Sequence, residues 1–328
     1  MRKHLLSSLK YIILALVLYW IVASINPEDI KALREQNLHW GLIFASFSVI
    51  LIANLLSFVR WYFFVRALQV PFTLIEAIRL GFLGNMFNAV FFGAVGGDLF
   101  RAIAAAKQAG TKRPEVIASV LVDRALGLLG LVLVAALSLQ FYSGALSANM
   151  DWIRRGAWIA SLAGIVGLLL ITFAGHHLPI QLLNRIPGIG HTLHRMAKAG
   201  MLFEGRPMLV LLLIGMSLLI HSLLTVGVYY TSIAIYAQAP SLAEHFMTVP
   251  PAFAVAALPL SPGGIGVQEM AMEKLFEELP SLPAGFKGLI VAAMFRIETV
   301  FITLIGGIYY AIGASEINRL KKETQKWE

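Results

Sequence analysis

The chain has 328 residues, of which 58% are hydrophobic and 13% charged, and its mean hydropathy is +0.77. Such values lie far from those of a water-soluble domain and point to a polytopic membrane protein. Zero cysteines exclude disulfides, thiolate catalysis and cysteine-based metal centres. The net charge of +8 does not signal a nucleic-acid partner, because the basic residues gather at the ends of apolar spans rather than among aromatics, as a charge-oriented membrane topology requires.

In chain order, Arg2, Lys3 and Lys10 precede an apolar run over 11–25 that ends in the small residues Ala23 and Ser24. That pattern resembles a signal peptide, but a second apolar span follows soon after, so the run reads as an uncleaved first transmembrane helix. Crossing the hydrocarbon takes roughly 20 residues. Windows of that kind fall at 9–26, 39–64, 115–141, 153–175, 208–237 and 287–313, predicting six full crossings. Two further apolar stretches, 72–97 and 242–278, are interrupted by Gly, Asn and Pro, and neither is expected to form one straight helix.

Positive charge assigns their sides. Arg60, Arg66 and Arg79 precede the interrupted core of the first stretch, and Arg101, Lys107, Lys112 and Arg113 follow it, so both flanks read as cytoplasmic and the stretch as re-entrant. The second stretch has Lys274 and Lys287 set among Glu244, Glu269, Glu273, Glu277 and Glu278, and reads as a re-entrant hairpin entering from the opposite face. Arg185, Arg195, Lys198 and Arg206 in the 176–206 loop, with Arg319, Lys321, Lys322 and Lys326 in the tail at 315–328, complete a cytoplasmic face. The expected fold is a single all-α integral membrane domain over 1–328, with six full transmembrane helices, two oppositely oriented re-entrant hairpins and both termini cytoplasmic. Its halves, 39–141 and 208–313, run the same elements in opposite orientation. That is an inverted-topology repeat, which places substrate sites where the two halves meet.

Each hairpin contains a double glycine and an acid, AVGGDLFR at 94–101 and SPGGIGVQE at 261–269. Each is followed by an arginine inside a span, Arg124 in VLVDRALGLLGL and Arg296 in AAMFRIETVFI, where insertion of a charge costs about 2.5–3.5 kcal/mol. Neighbours on a helix do not face one another, so Asp123 does not serve Arg124, nor Glu298 Arg296. The expected partners are Asp98 and Glu269. Half-helix N-termini near Gly96 and Gly97, and near Gly263 and Gly264, would offer unpaired N–H groups to a phosphate or carboxylate. The competing account is that these glycines only permit close helix packing, with the two ion pairs holding the hairpins in place.

Arginine suits phosphate because its guanidinium is a planar fork of donors that stays charged. Arg124, Arg296 and Arg101 are therefore the candidate headgroup ligands, and Asp98, Asp123, Glu269 and Glu298 the candidates for charge balance or proton coupling. Asn85 and Asn88 either line a cavity or satisfy broken backbone, and the sequence leaves both readings open. His176, His177, His191 and His194 lack carboxylates at ligand spacing and read as interfacial residues. His221 could relay protons but reads first as a hydrogen-bonded helix contact, and 181–206 reads as a surface-lying amphipathic segment. No Gly-x-Ser-x-Gly, Walker loop or His-Glu-x-x-His is present, so hydrolase, ATPase and zinc-protease readings lack their chemistry; no enzyme, metal or cofactor is expected, and an integral-membrane transferase ranks only third because no acid–base pair is placed.

The strings GNMFNAVFFGAVGGDLFRAIAAAK, VLVDRALGLLGL, LPLSPGGIGVQEMAMEKLF and MFRIETVF resemble the lysylphosphatidylglycerol synthase transmembrane (flippase-like) family, in the same order, from about residue 10 to 315. Asp98, Arg101, Asp123, Arg124, Glu269 and Arg296 match that family's polar positions. The resemblance implies a lipid-translocating module of the cytoplasmic membrane. With its last residue at Glu328 the chain is expected to be a stand-alone member without the aminoacyl-transferase domain of fused members, so synthase activity is not carried over.

Two functions follow as expectations. One is a flippase-like transporter of a phospholipid or polyprenyl-phosphate carrier. The other is a non-transporting scaffold that binds an anionic lipid and presents it to a lipid-modifying partner enzyme; homo-oligomerisation stays open in both. The broken hairpins, in-membrane arginines and inverted repeat support the first; the basic cytoplasmic face and tail would be the docking surface of the second, which a dry, closed centre with Asp98 and Glu269 locked to arginines would favour.

Overall fold

The computed structural model describes residues 37–90, 96–106, 112–174, 205–258 and 266–324, with Lys31 and Phe203. The regular structure among them is helical: α1 (Trp40–Ala67), α2 (Leu74–Val90), α3 (Gly96–Ala106), α4 (Arg113–Phe141), α5 (Ala148–Ala174), α6 (Pro207–Ile235), α7 (Leu242–Ala256), α8 (Val267–Glu277) and α9 (Gly288–Thr324). Five segments are long and apolar enough to cross a membrane: Trp40–Ala67, Glu115–Phe141, Ala148–Leu170, Pro207–Ile235 and Gly288–Ile312. The protein is therefore an all-α, multi-pass membrane protein. The expected first crossing at 9–26 and the amphipathic 181–206 segment fall almost wholly outside the described residues, as do the four loop histidines, Gly263 and Gly264.

Local chemistry sets the helix starts. Proline occupies the first turn of α4 and of α6, where its missing N–H removes no helix bond. At α7 the Ser241 hydroxyl and the Glu244 carboxylate cap each other's backbone N–H groups in a capping box. The stretch 72–97 holds α2 and the start of α3, and 242–278 holds α7 and α8. Helix α2 runs unbroken through Gly81, Gly84, Asn85 and Asn88, and α7 continues through Pro250 and Pro251.

The packing is reciprocal. At the centre α1 lies along α6; α2 packs on α9 while α7 packs on α4; α3 bridges α2 and α4 while α8 bridges α7 and α9. Exchanging the first four helices for α6 to α9 reproduces these pairings. Helix α5 stands outside this scheme against α4, with Ile159, Leu162, Val166 and Leu169 exposed. Ser46, Arg60, Asp98, Arg101, Asp123, Thr231 and Glu298 are buried while Phe44, Ile52, Phe63 and Phe301 face outward. An apolar exterior around polar groups suits a lipid surround.

On a membrane-flanking loop, Glu278 ties the end of α8 to the start of α5: the Ser147 hydroxyl and the Asn149 amide both donate to its carboxylate. These two bonds hold the Glu278 carboxyl below its ordinary value of 4.5. A depressed carboxyl contributes stability that is present above the unfolded value and is lost as pH falls through the folded one. The 142–149 loop should thus lose protection against hydrogen exchange on acidification below about 4.5, and Glu278→Gln should flatten that response. Unchanged acid sensitivity in the variant would remove Glu278 as its source.

Candidate functional site

A cavity of about 580 Å³ sits between α1, α2, α3, α4 and α6. Its polar wall comprises Arg60, Asp98, Arg101, Asp123, Arg124, Asn54, Ser57, Asn85, Asn88 and His221, and its apolar wall includes Phe58, Leu121, Leu128, Leu131, Ile220 and Leu224.

Helix α3 brings the first Gly-Gly motif to this wall. A side-chain carbon on Gly97 would lie 1.9 Å from the Gly84 carbonyl oxygen, so only glycine lets α3 approach α2 here. The Gly97 N–H donates to Asn88 Oδ1 at 2.8 Å. That amide, expected to await a ligand at the α3 N-terminus that begins at Gly96, already has a partner within the protein. Asn88 therefore does both things the sequence left open, while Asn85 lines the cavity and donates to Asn54 Oδ1 at 3.0 Å.

Asp98, in the first turn of α3, lies between two guanidiniums: Arg101 Nε at 3.1 Å and Arg124. The pairing of Arg124 with Asp98 is the one its helix face requires. Asp123 faces the other way and holds two different arginines, accepting from Arg60 Nε at 2.9 Å and lying 3.4 Å from Arg101 Nη2. Arg60 also donates from Nη1 to Ser217 Oγ at 2.8 Å and from Nη2 to the Asp123 carbonyl at 3.1 Å. Arg101 is further held by the Trp61 ring, 5.0 Å from its Cζ. His221 Nε2 meets the Gly127 carbonyl at 2.9 Å, the helix contact expected of it, although the residue also lines the cavity.

Arg60 is the cavity residue that the sequence does not single out. It counts there as a flanking cytoplasmic charge, yet it is buried in α1 and locked to Asp123. The available signal was Asp123 itself, a second in-span charge whose face requires a partner other than Arg124.

The second half holds a comparable but separate cluster. Arg296 of α9 pairs with Glu269 of α8, and its Nη2 lies 3.5 Å from Gln268 Oε1; the other Glu269 oxygen accepts the Gly266 N–H at 2.8 Å. Glu298 does face away from Arg296. Its Oε2 accepts from Ser46 Oγ at 3.1 Å and Thr231 Oγ1 at 3.0 Å. Among the described residues, Glu269, Arg296 and Glu298 are not part of the wall of the 580 Å³ cavity.

Access distinguishes the clusters. The Arg124 side chain keeps 46% of its exposure against 14% for Arg296. Along α4, Ile117, Leu121 and Leu128 are exposed with it, one residue per turn. The cavity thus meets the outer surface at an arginine set in an apolar stripe.

No curated protein and no solved structure matches the chain. The motifs that build both clusters, and all five described spans save the end of the last, fall within residues 7–307, over which the chain matches the family described as the lysylphosphatidylglycerol synthase TM region, and the protein belongs to that family.

Proposed function

We propose that the protein is a flippase-like transporter, not an enzyme, that moves a phosphate-containing lipid between the leaflets of the cytoplasmic membrane. The observation that carries this reading is the charge of the cavity wall: Arg60, Arg101 and Arg124 against Asp98 and Asp123 leave a formal excess of one positive charge in an apolar bundle. An anionic headgroup compensates that excess. Its acyl chains can stay outside along Ile117, Leu121 and Leu128, which suits a phospholipid or a polyprenyl-phosphate carrier better than a soluble anion.

The topology that goes with this reading has six crossings, two opposed re-entrant hairpins and both termini in the cytoplasm. The reciprocal packing of α2 on α9 and α7 on α4 supports an inverted repeat with halves near 39–141 and 208–313. In such repeats the halves exchange conformations to open one site to either side. Arg124 is then the open member of the pair and Arg296 the closed one. In the exchanged arrangement the cavity forms around Arg296, with Glu269 taking the place of Asp98.

One observation favours the scaffold instead: Asp98 and Glu269 are both already paired with arginines, which needs no ligand. The cavity beside Asp98 puts transport ahead. Proteoliposomes of phosphatidylethanolamine with a trace of headgroup-labelled phosphatidylglycerol decide between them. Exchange of label between leaflets in vesicles holding the protein, and not in empty ones, supports transport; binding without exchange establishes the scaffold. In the same assay Arg296→Lys should slow exchange several-fold, since lysine keeps the charge but loses the fork. A full rate in that variant removes Arg296 from headgroup binding.

A further inference from the structure

The helix crossings at the centre carry two related polar triads. In one, Ser217 of α6 and Asp123 of α4 meet Arg60 of α1. In the other the partners are exchanged: Ser46 of α1 and Glu298 of α9 meet Thr231 of α6. A carboxylate that faces a guanidinium in the first triad faces only hydroxyls in the second. Glu298 is buried, at 2% exposure, and its Oε1 has no hydrogen-bond partner among the described residues.

An ionised carboxylate cannot stay in such a place without a cation, and none reaches it. Arg296, two residues along α9, is turned to Glu269. Arg60 lies roughly 20 Å along α1 from Ser46 and is turned to Asp123. The remaining charged or titratable groups with described side chains on the packed elements are Tyr62 and Arg66 on α1, His221, Tyr229 and Tyr230 on α6, Tyr309 and Tyr310 on α9, Glu76 and Arg79 on α2, and Glu269, Glu273, Lys274 and Glu277 on α8. Beyond α6, Glu244 and His245 of α7 are bonded to Ser241 and Ser232. Among the described residues none of these groups bonds or pairs with Glu298.

We infer that Glu298, enclosed by Ser46 and Thr231, is a proton-binding site, and that of the four candidate acids it is the one that carries the coupling proton. Asp98, Asp123 and Glu269 are each fixed to arginine. With a proton on Glu298 Oε2 the hydroxyls fall into one ordered chain. The acid donates to Thr231 Oγ1 across 3.0 Å, Thr231 to Ser46 Oγ across 2.8 Å, and Ser46 to the Gly227 carbonyl across 2.9 Å. Every hydroxyl hydrogen in that chain has an acceptor. The site is sealed by the α1–α6 contact, where a side-chain carbon on Gly227 would lie 2.6 Å from Ile50. Release is a simple proton transfer: the O–H bond of Glu298 breaks and its proton passes to water admitted when α1 and α6 part from α9. Uptake from water on the other side restores the acid. The role in coupling rests on the transport reading; the occupancy of the site does not.

Infrared difference spectra of the full chain in phosphatidylethanolamine and phosphatidylglycerol bilayers near neutral pH test the occupancy directly. Subtracting E298Q from the wild type should leave a carboxylic-acid carbonyl band that shifts in heavy water, and Glu269→Gln should retain it. A difference made only of carboxylate bands overturns the proton site. If E298Q fails to fold, Thr231→Val must shift the same band by removing its hydrogen-bond partner, and an unmoved band overturns the assignment equally. For coupling, a pH gradient across the vesicles should bias the leaflet distribution of labelled phosphatidylglycerol several-fold in the wild type and not in E298Q. A bias that survives E298Q refutes the coupling role. Vesicles in which the wild type moves no lipid refute the transport reading, and the infrared result still decides the proton site.

Discussion

Asp123→Ala is expected to give the largest loss of stability of any single substitution in the central bundle. The side chain is 5% exposed and serves two guanidiniums, Arg60 at 2.9 Å and Arg101 at 3.4 Å. Its removal leaves Arg60 with Ser217 Oγ and a backbone carbonyl, neither of them charged. Breaking a buried pair by deleting one partner costs about 3–5 kcal/mol, because the survivor keeps its desolvation penalty and loses its compensation. Against a total stability of roughly 5–15 kcal/mol, that should lower the melting temperature in detergent sharply and cut the yield of folded protein. Arg101 suffers less, since Asp98 remains 3.1 Å from it.

Removing the orphaned charge should have the opposite effect. Arg60→Met in the Asp123→Ala background removes the orphaned charge and fills its space with an apolar side chain, so the double variant should be more stable than Asp123→Ala alone. Asp123→Ala melting together with the wild type would show that Arg60 reaches water or another acceptor. A double variant no better than the single one would show that the loss comes from packing rather than charge.

How far the sequence anticipates this site follows from what each residue's neighbours can reveal. Spans are legible because hydrocarbon demands long apolar runs: the windows at 39–64, 208–237 and 287–313 meet helices Trp40–Ala67, Pro207–Ile235 and Gly288–Thr324. The pairs Arg124–Asp98 and Arg296–Glu269 are legible too, since helix geometry turns each arginine away from its acidic neighbour and leaves the hairpin acids as partners.

Arg60 is not legible by the same route. It stands near the end of an apolar window beside Trp61 and Tyr62, where a snorkelling cytoplasmic charge is the ordinary expectation, and its partner is 63 residues away. The glycines of α2 mislead for a different reason. In water Gly81 would mark a weak point, but here it admits Phe58, whose ring would lie 2.3 Å from a side-chain carbon at that position. In a membrane helix such residues mark contact rather than breakage. The difference in exposure between Arg124 and Arg296 arises from tertiary packing, and no local pattern encodes it.

Arg124→Ala is expected to abolish most lipid exchange while leaving the protein folded, the reverse of Asp123→Ala at the adjacent position. The two residues share a helix turn but not a surroundings. Arg124 is nearly half exposed, and Asp98 keeps Arg101 when Arg124 is gone, so no buried charge is orphaned and melting should stay close to that of the wild type. What disappears is the guanidinium at the mouth of the cavity, between Leu121 and Leu128, where the proposed transport has the headgroup enter. A hydrogen bond to a charged group is worth about 1.5–3 kcal/mol, which corresponds to a loss of roughly ten- to a hundred-fold in phosphate affinity. Arg124→Lys should fall between, keeping the charge and losing the planar fork. Raising the salt concentration should affect the wild type little, because the pair lies within the bilayer and is poorly screened. The measurement is leaflet exchange of labelled phosphatidylglycerol in vesicles matched for folded protein. Exchange at the wild-type rate in Arg124→Ala would place the headgroup elsewhere, while equal losses of stability and exchange would make Arg124 a structural residue like Asp123.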